Sequence, residues 1–217
     1  MIIDIRGKIS QQLKTYQHCL DNFKNEFDWL IFYDMDEFIY LKGMKNIKYF
    51  LSNPSFKKCQ AIQLNMYFHT DNNKLYYENN SLAERFPEKK ISKRGFLKTI
   101  MRAKVKIEIN CPHELNKKLI SCNGFGNINI KDKGLIFTNK PDFKYFYIDH
   151  YSYKSTEEFV KKIMRGSAIK GLQTEMKYTK ISWYFDDNKI TKAKIDLIEN
   201  MTNFNLSKYR KKIKNNS

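Results

Sequence analysis

WLIFYDMDEFI (Trp29–Ile39) decides how the chain is read. Five apolar residues, Trp29-Leu30-Ile31-Phe32-Tyr33, run without a break into Asp34-Met35-Asp36-Glu37. A short unbroken apolar run is the pattern of a buried strand. Acidic residues at its carboxyl end fall where open α/β sheets place their ligands. Asp34 and Asp36 are two apart, so on an extended strand they share a face. Adjacent carboxylates repel unless a cation lies between them, and Mg²⁺ sites commonly combine one or two carboxylates with substrate phosphates. The pair is therefore a candidate holder of a divalent ion and a diphosphate; the plainer alternative is a pair of acids capping a turn.

Composition sets the frame around this stretch. The 217 residues suffice for one α/β domain with a sizeable core, and 41% hydrophobic with 15% aromatic content argues against wholesale disorder. No apolar stretch approaches the roughly 18 to 20 residues of a membrane helix, and the start, MIIDIRGKIS, lacks the long apolar region of a secretory signal. The formal charge of +17 comes from 40 Lys and Arg, of which only six are Arg. Arg is the residue favoured for bidentate phosphate and base recognition. The Lys-rich surface thus argues only weakly for nucleic acid and better for general attraction to anions such as nucleotide-sugars, acidic glycans and lipid heads. Cys19, Cys59, Cys111 and Cys122 form no C-x-x-C pair, and the expectation is four reduced thiols in a cytoplasmic protein.

Working outward, Leu13, Tyr16, Leu20, Phe23 and Phe27 recur at three- and four-residue steps and predict a helix over 9–27. Strands are expected at 29–33, 60–68, within 96–109 and at 145–148, with 75–77 returning against 60–68 across Asp71-Asn72-Asn73. Short helical or turn signals lie at 46–51, at Asn123-Gly124 and at Lys133-Gly134. Ser155 and Glu158 form a capping box for a helix over 155–170. Residues 190–212 read as one final helix or two, ending in the basic run Lys208-Tyr209-Arg210-Lys211-Lys212.

Other residues fit a metal–diphosphate constellation. His150 follows the apolar strand at 145–148, and a neutral imidazole suits a carboxylate metal site; His113, in Cys-Pro-His-Glu, is a rival ligand. Lys98, Arg85, Lys154 and Arg165 are cations that would converge on phosphates or acceptor hydroxyls.

These blocks, in this order, resemble glycosyltransferases of family 92 and bacterial relatives akin to family 2. The resemblance runs from QQLKTYQHCLDNF through WLIFYDMDEFI, LAERF (82–86), LKTIMR (97–102) and the histidine of CPHEL to DHYSYKSTEEFVKKIMRG (149–166). It implies an α/β chain of GT-A-like (Rossmann-like) nucleotide-diphospho-sugar transferase fold, with a mixed central sheet and flanking helices. It also implies metal-dependent transfer of a sugar from a nucleotide-sugar to the hydroxyl of a glycan or lipid-linked glycan, by an inverting route. Under it, Asp34 and Asp36 hold the donor through Mn²⁺ or Mg²⁺, His150 or His113 completes the metal shell, and Lys98, Lys154 and Arg165 contact the donor. Glu84, ahead of Glu37 and Glu114, is the expected base toward the acceptor.

Only 28 residues precede the Asp-x-Asp strand, too few for two βαβ units. The expectation is an N-terminally truncated version of that fold: residues 1–40 as a remnant of the nucleotide-binding half, 41–185 as the acceptor and metal half, 186–217 as a basic helical segment, and a central sheet with an unprotected edge. The competing reading is a catalytically incomplete basic module on anionic membrane or glycan surfaces, peripheral at the inner membrane face.

Overall fold

The structure, a computed structural model, describes residues 12–91, 96–109, 119–128, 142–165 and 174–214. Helix α1 (Gln12–Phe23) is followed by strands β1 (Trp29–Ile31) and β2 (Glu37–Leu41), helix α2 (Ile47–Leu51), and the long strand β3 (Ala61–His69). Next come α3 (Leu82–Arg85), β4 (Lys89–Ile91), β5 (Leu97–Arg102), β6 (Ser121–Cys122) and β7 (Phe146–His150). Four helices close the chain: α4 (Thr156–Arg165), α5 (Thr174–Asp187), α6 (Lys192–Thr202) and α7 (Ser207–Lys214). The chain is thus mixed α/β.

The sheet runs β1-β5-β3-β7-β2, with β4 and β6 also pairing with β3. It is mixed: β1 with β5, β5 with β3 and β2 with β7 are antiparallel, whereas β3 and β6 are parallel. β1 and β2 end this path although only residues 32–36 separate them in the chain. A flat sheet would place them about 19 Å apart at the usual strand spacing. The connection contains a closed turn, in which the Glu37 amide donates to the Asp34 carbonyl at 3.1 Å, and that shortens its reach. The sheet therefore curls, bringing side chains of non-adjacent strands together on its inner side.

The chain divides into two compact units. The first comprises residues 1–67 and 91–150. Ala61, Met101 and Leu119 form one of its apolar clusters, with Leu30, Phe32, Val105 and Ile107 packed against it. Phe50 packs against Phe56 and Phe146. A Cβ on Gly124 would come within 2.9 Å of the Phe146 side chain and 3.2 Å of Leu64, so the Asn123-Gly124 turn favours glycine for close approach. The Asn123 side chain caps that turn, accepting from the Phe125 and Asn127 amides.

Cys59 and Cys122 are joined as a disulfide, their Cα atoms 5.8 Å apart. This corrects the expectation of four reduced thiols. Pairing of β3 with β6 places Cys122 opposite Ile62, beside Cys59 at the entry to β3, a proximity that sequence spacing does not encode. Disulfides persist in oxidising compartments, so the argument from cysteine to cytoplasm lapses. Cys19 is a free thiol, and burial pushes its pKa up. Cys111 lies outside the described residues. No helix among the described residues is long and apolar enough to cross a membrane.

The second unit comprises residues 68–90 and 151–217. Its core is Phe159, Val160 and Ile163 of α4, Ile181, Tyr184 and Phe185 of α5, Ile195 and Ile198 of α6, with Leu206 and Tyr209. The capping box at Ser155 and Glu158 forms as the sequence predicts: the Glu158 carboxylate accepts from the Ser155 hydroxyl at 2.8 Å. Segment 75–77 does not return as a strand. Asn72 and Asn73 both adopt the left-handed conformation. Lys74 and Leu75 then offer their carbonyls to the amides of Thr156 and Glu157, at 3.0 and 2.9 Å, so the segment serves the start of α4. Helix α5 has no counterpart in the sequence reading.

Candidate active site

Five of the residues singled out by sequence meet in the first unit. Asp34-Met35-Asp36-Glu37 is a turn, not the extended end of a strand. β1 stops at Ile31, and Met35 stands at the tip with 99% of its surface exposed. The reason is local. Asp is favoured at the first position of a turn, and Glu37 closes this one twice: its amide donates to the Asp34 carbonyl at 3.1 Å, and its carboxylate accepts from the Asp34 amide at 3.2 Å. Both acids therefore belong to a turn and not to the pleated face of a strand.

The turn feeds directly into β2, whose first residue, Glu37, lies opposite His150, the last residue of β7. Side chains directly opposite in an antiparallel pair share a face. His150 reaches Asp36, Nε2 to Oδ1 3.6 Å, and both side chains are largely buried. Glu37 is buried and bonded to Lys98 of β5, Nζ to Oε2 2.5 Å. That ion pair spans the curl of the sheet, since β3 and β7 lie between β5 and β2 in strand order. Among the described residues Glu37 Oε1 has no hydrogen-bond partner.

The negative charge of the turn is felt nearby. The Tyr33 phenol is pushed up well above its ordinary value, first by desolvation and then by the charge of Glu37. The Tyr16 phenol, stacked on Phe32 at 4.1 Å, is raised by burial, with Asp34 and Glu37 adding to the effect against a hydrogen bond from Gln12.

The remaining candidates are placed elsewhere or lie outside the described residues. Glu84 belongs to the second unit and is engaged in the cap of α3: its carboxylate accepts from the Ser81 amide at 2.9 Å and hydroxyl at 2.8 Å, and these bonds lower its pKa. Arg85, 3% exposed, pairs with Glu158 and stacks on Tyr77 and Phe86. Lys154, also in the second unit, is half-buried with φ +59, and Arg165 is exposed at the end of α4. His113 and Glu114 lie outside the described residues.

The donor chemistry suits a divalent ion without forming a closed cage. Among the described residues no group of three His, Cys, Asp or Glu side chains stands ready as a metal site. Asp36 and His150 supply one oxygen and one nitrogen donor at 3.6 Å, with Asp34 in the same turn. A partial set of this kind, completed by phosphate oxygens and water, fits Mn²⁺ or Mg²⁺.

A comparison with curated proteins finds no match. The model of glycosyltransferase family 92 matches residues 4–200, a span that takes in the acidic turn, Lys98 and His150 alike. With nine-tenths of its length inside that match, the chain belongs to glycosyltransferase family 92.

Proposed function

We propose that the chain transfers a sugar from a nucleotide-sugar to a glycan hydroxyl, with the donor diphosphate bound at the Asp34–Asp36 turn through Mn²⁺ or Mg²⁺. The observation that carries this reading is the approach of His150 to Asp36 at 3.6 Å across the start of β2. Asp34, Asp36 and His150 would hold the ion. When bound, it supplies Lewis-acid stabilisation of the departing diphosphate. The protein's own part is to keep the acidic turn folded and its pair of ligands facing one another. Inverting transfer also needs a carboxylate to take the acceptor proton. Glu84 is engaged in a helix cap and Glu37 in an ion pair, and of the three candidates Glu114 lies outside the described residues.

The test is calorimetric binding of UDP and of other nucleoside diphosphates with and without Mn²⁺. Metal-dependent binding that is lost in Asp36→Ala supports the proposal; binding indifferent to both the metal and the substitution overturns it. One observation favours a second reading, a basic surface-binding module. Helix α7 exposes Lys208, Lys211 and Lys212, while Arg210 is pinned to Asp196 and Glu199. Flotation with anionic liposomes that disappears in the Lys208→Ala/Lys211→Ala/Lys212→Ala variant would support it, and flotation unaffected by the change would remove it.

A further inference from the structure

The buried Glu37–Lys98 pair has no part in the donor chemistry just described, and its surroundings give it another. Glu37 Oε2 receives two donors: the Lys98 ammonium at 2.5 Å and the Asp34 backbone amide at 3.2 Å. The Glu37 amide returns a bond to the Asp34 carbonyl. One carboxylate thus fixes the first residue of the acidic turn, and Lys98 fixes that carboxylate. Both side chains are almost wholly removed from water, 0% exposed for Glu37 and 4% for Lys98. Such pairs are weak contributors to stability, because desolvation offsets their attraction, and apolar replacements of both partners are often tolerated. A buried pair whose second bond is to the backbone of a ligand-bearing turn has the character of an outer support, the layer that orients metal ligands.

We infer that Lys98 and Glu37 are positioning residues that hold the Asp34–Asp36 turn in its ligand-presenting shape, rather than a donor-binding cation and a catalytic base. The inference rests on the proposed metal site for one of its readouts only. Three variants of the full chain test it: Lys98→Met, Glu37→Met/Lys98→Met, and the conservative Lys98→Arg. Each is measured for free Mn²⁺ by electron paramagnetic resonance and for exchange of the Asp34 amide by NMR.

The double variant removes one charge of each sign, so net charge is unchanged and no buried ion is left alone. It is expected to keep the parent's thermal midpoint. Its Mn²⁺ dissociation constant is expected to rise about 10- to 100-fold, the usual effect of losing an outer support. Its Asp34 amide is expected to exchange at least ten times faster. Lys98→Met should weaken Mn²⁺ binding too. If Lys98 merely masked a metal-ligating carboxylate, the same change would tighten binding and overturn the inference. Lys98→Arg should stay near the parent. Unchanged Asp34 exchange in the double variant overturns the positioning role whatever the metal does. Faster exchange in a chain whose parent binds no Mn²⁺ instead supports the hold on the turn and overturns the metal reading.

Discussion

Each unit buries an acid against a lysine, and the two pairs are finished differently. In the second unit Lys194, fully buried, bonds to Asp71 at 2.6 Å, to the Asn73 side chain at 3.2 Å and to the Lys189 carbonyl at 2.9 Å. Asp71 in turn accepts from Tyr184 and from the Asn73 amide, while its own amide donates to Asn188. Tyr184 is further bonded to Thr156. Burial and the charge of Asp71 push the Tyr184 phenol well above its ordinary value. In the first unit one carboxylate oxygen of Glu37 has no hydrogen bond among the described residues, and the other accepts from the Asp34 amide of a turn. A network whose members are all satisfied specifies one packing. A buried carboxylate with an open acceptor leaves its surroundings less fully specified than the Asp71 network does.

The contrast can be broken most forcefully at Lys194. Lys194→Met strands Asp71 inside the helical core. The expected loss is about 3–5 kcal/mol in urea unfolding, the usual penalty for orphaning one partner of a buried pair. A loss below about 1 kcal/mol would mean that this network is no lock.

A middle-sized effect should come from acid. Burial tends to raise the Glu158 pKa, but bonds from Arg85 and Ser155 outweigh it and hold the folded value below the ordinary 4.5. Its contribution is therefore complete above that ordinary value and fades as pH falls through the lower folded one. The thermal midpoint should drop on acidification below about 4.5, and Arg85→Met should flatten that part of the profile. An equally steep profile in the variant would dissociate the Arg85–Glu158 pair from acid sensitivity.

The smallest effect is expected at Glu84. Glutamine also completes a capping box, so Glu84→Gln should shift stability by less than about 0.5 kcal/mol and leave sugar transfer unchanged. A hundredfold fall in kcat would return Glu84 to the role of base.

What the sequence disclosed follows the same division between local and distant causes. The Ser155–Glu158 capping box and the Asn123-Gly124 turn are written in neighbouring residues, and both form; the apolar run before Asp34, expected as a buried strand over 29–33, forms one only over Trp29–Ile31, half-buried at the end of the sheet path. The Glu37–Lys98 bond and the Cys59–Cys122 bridge join residues 61 and 63 positions apart, brought together by the curl of the sheet and by a two-residue parallel strand. No spacing rule announces either. The strand expected at 75–77 lost to tertiary hydrogen bonding with α4. Helix α5 was legible in principle, since Ile181, Tyr184 and Phe185 are buried at three- and four-residue steps. Tyr178, Trp183 and the surrounding Lys residues blurred that stripe. The acidic pair was expected on the face of a strand and lies in a turn instead, because the Glu37 amide and carboxylate both close on Asp34.

The Cys59–Cys122 bridge closes β3, β4 and β5 into a covalent ring. A single protease cut between those two residues releases no fragment. A chain cut once there should keep its full mass without reductant and split into two pieces once thiol is added.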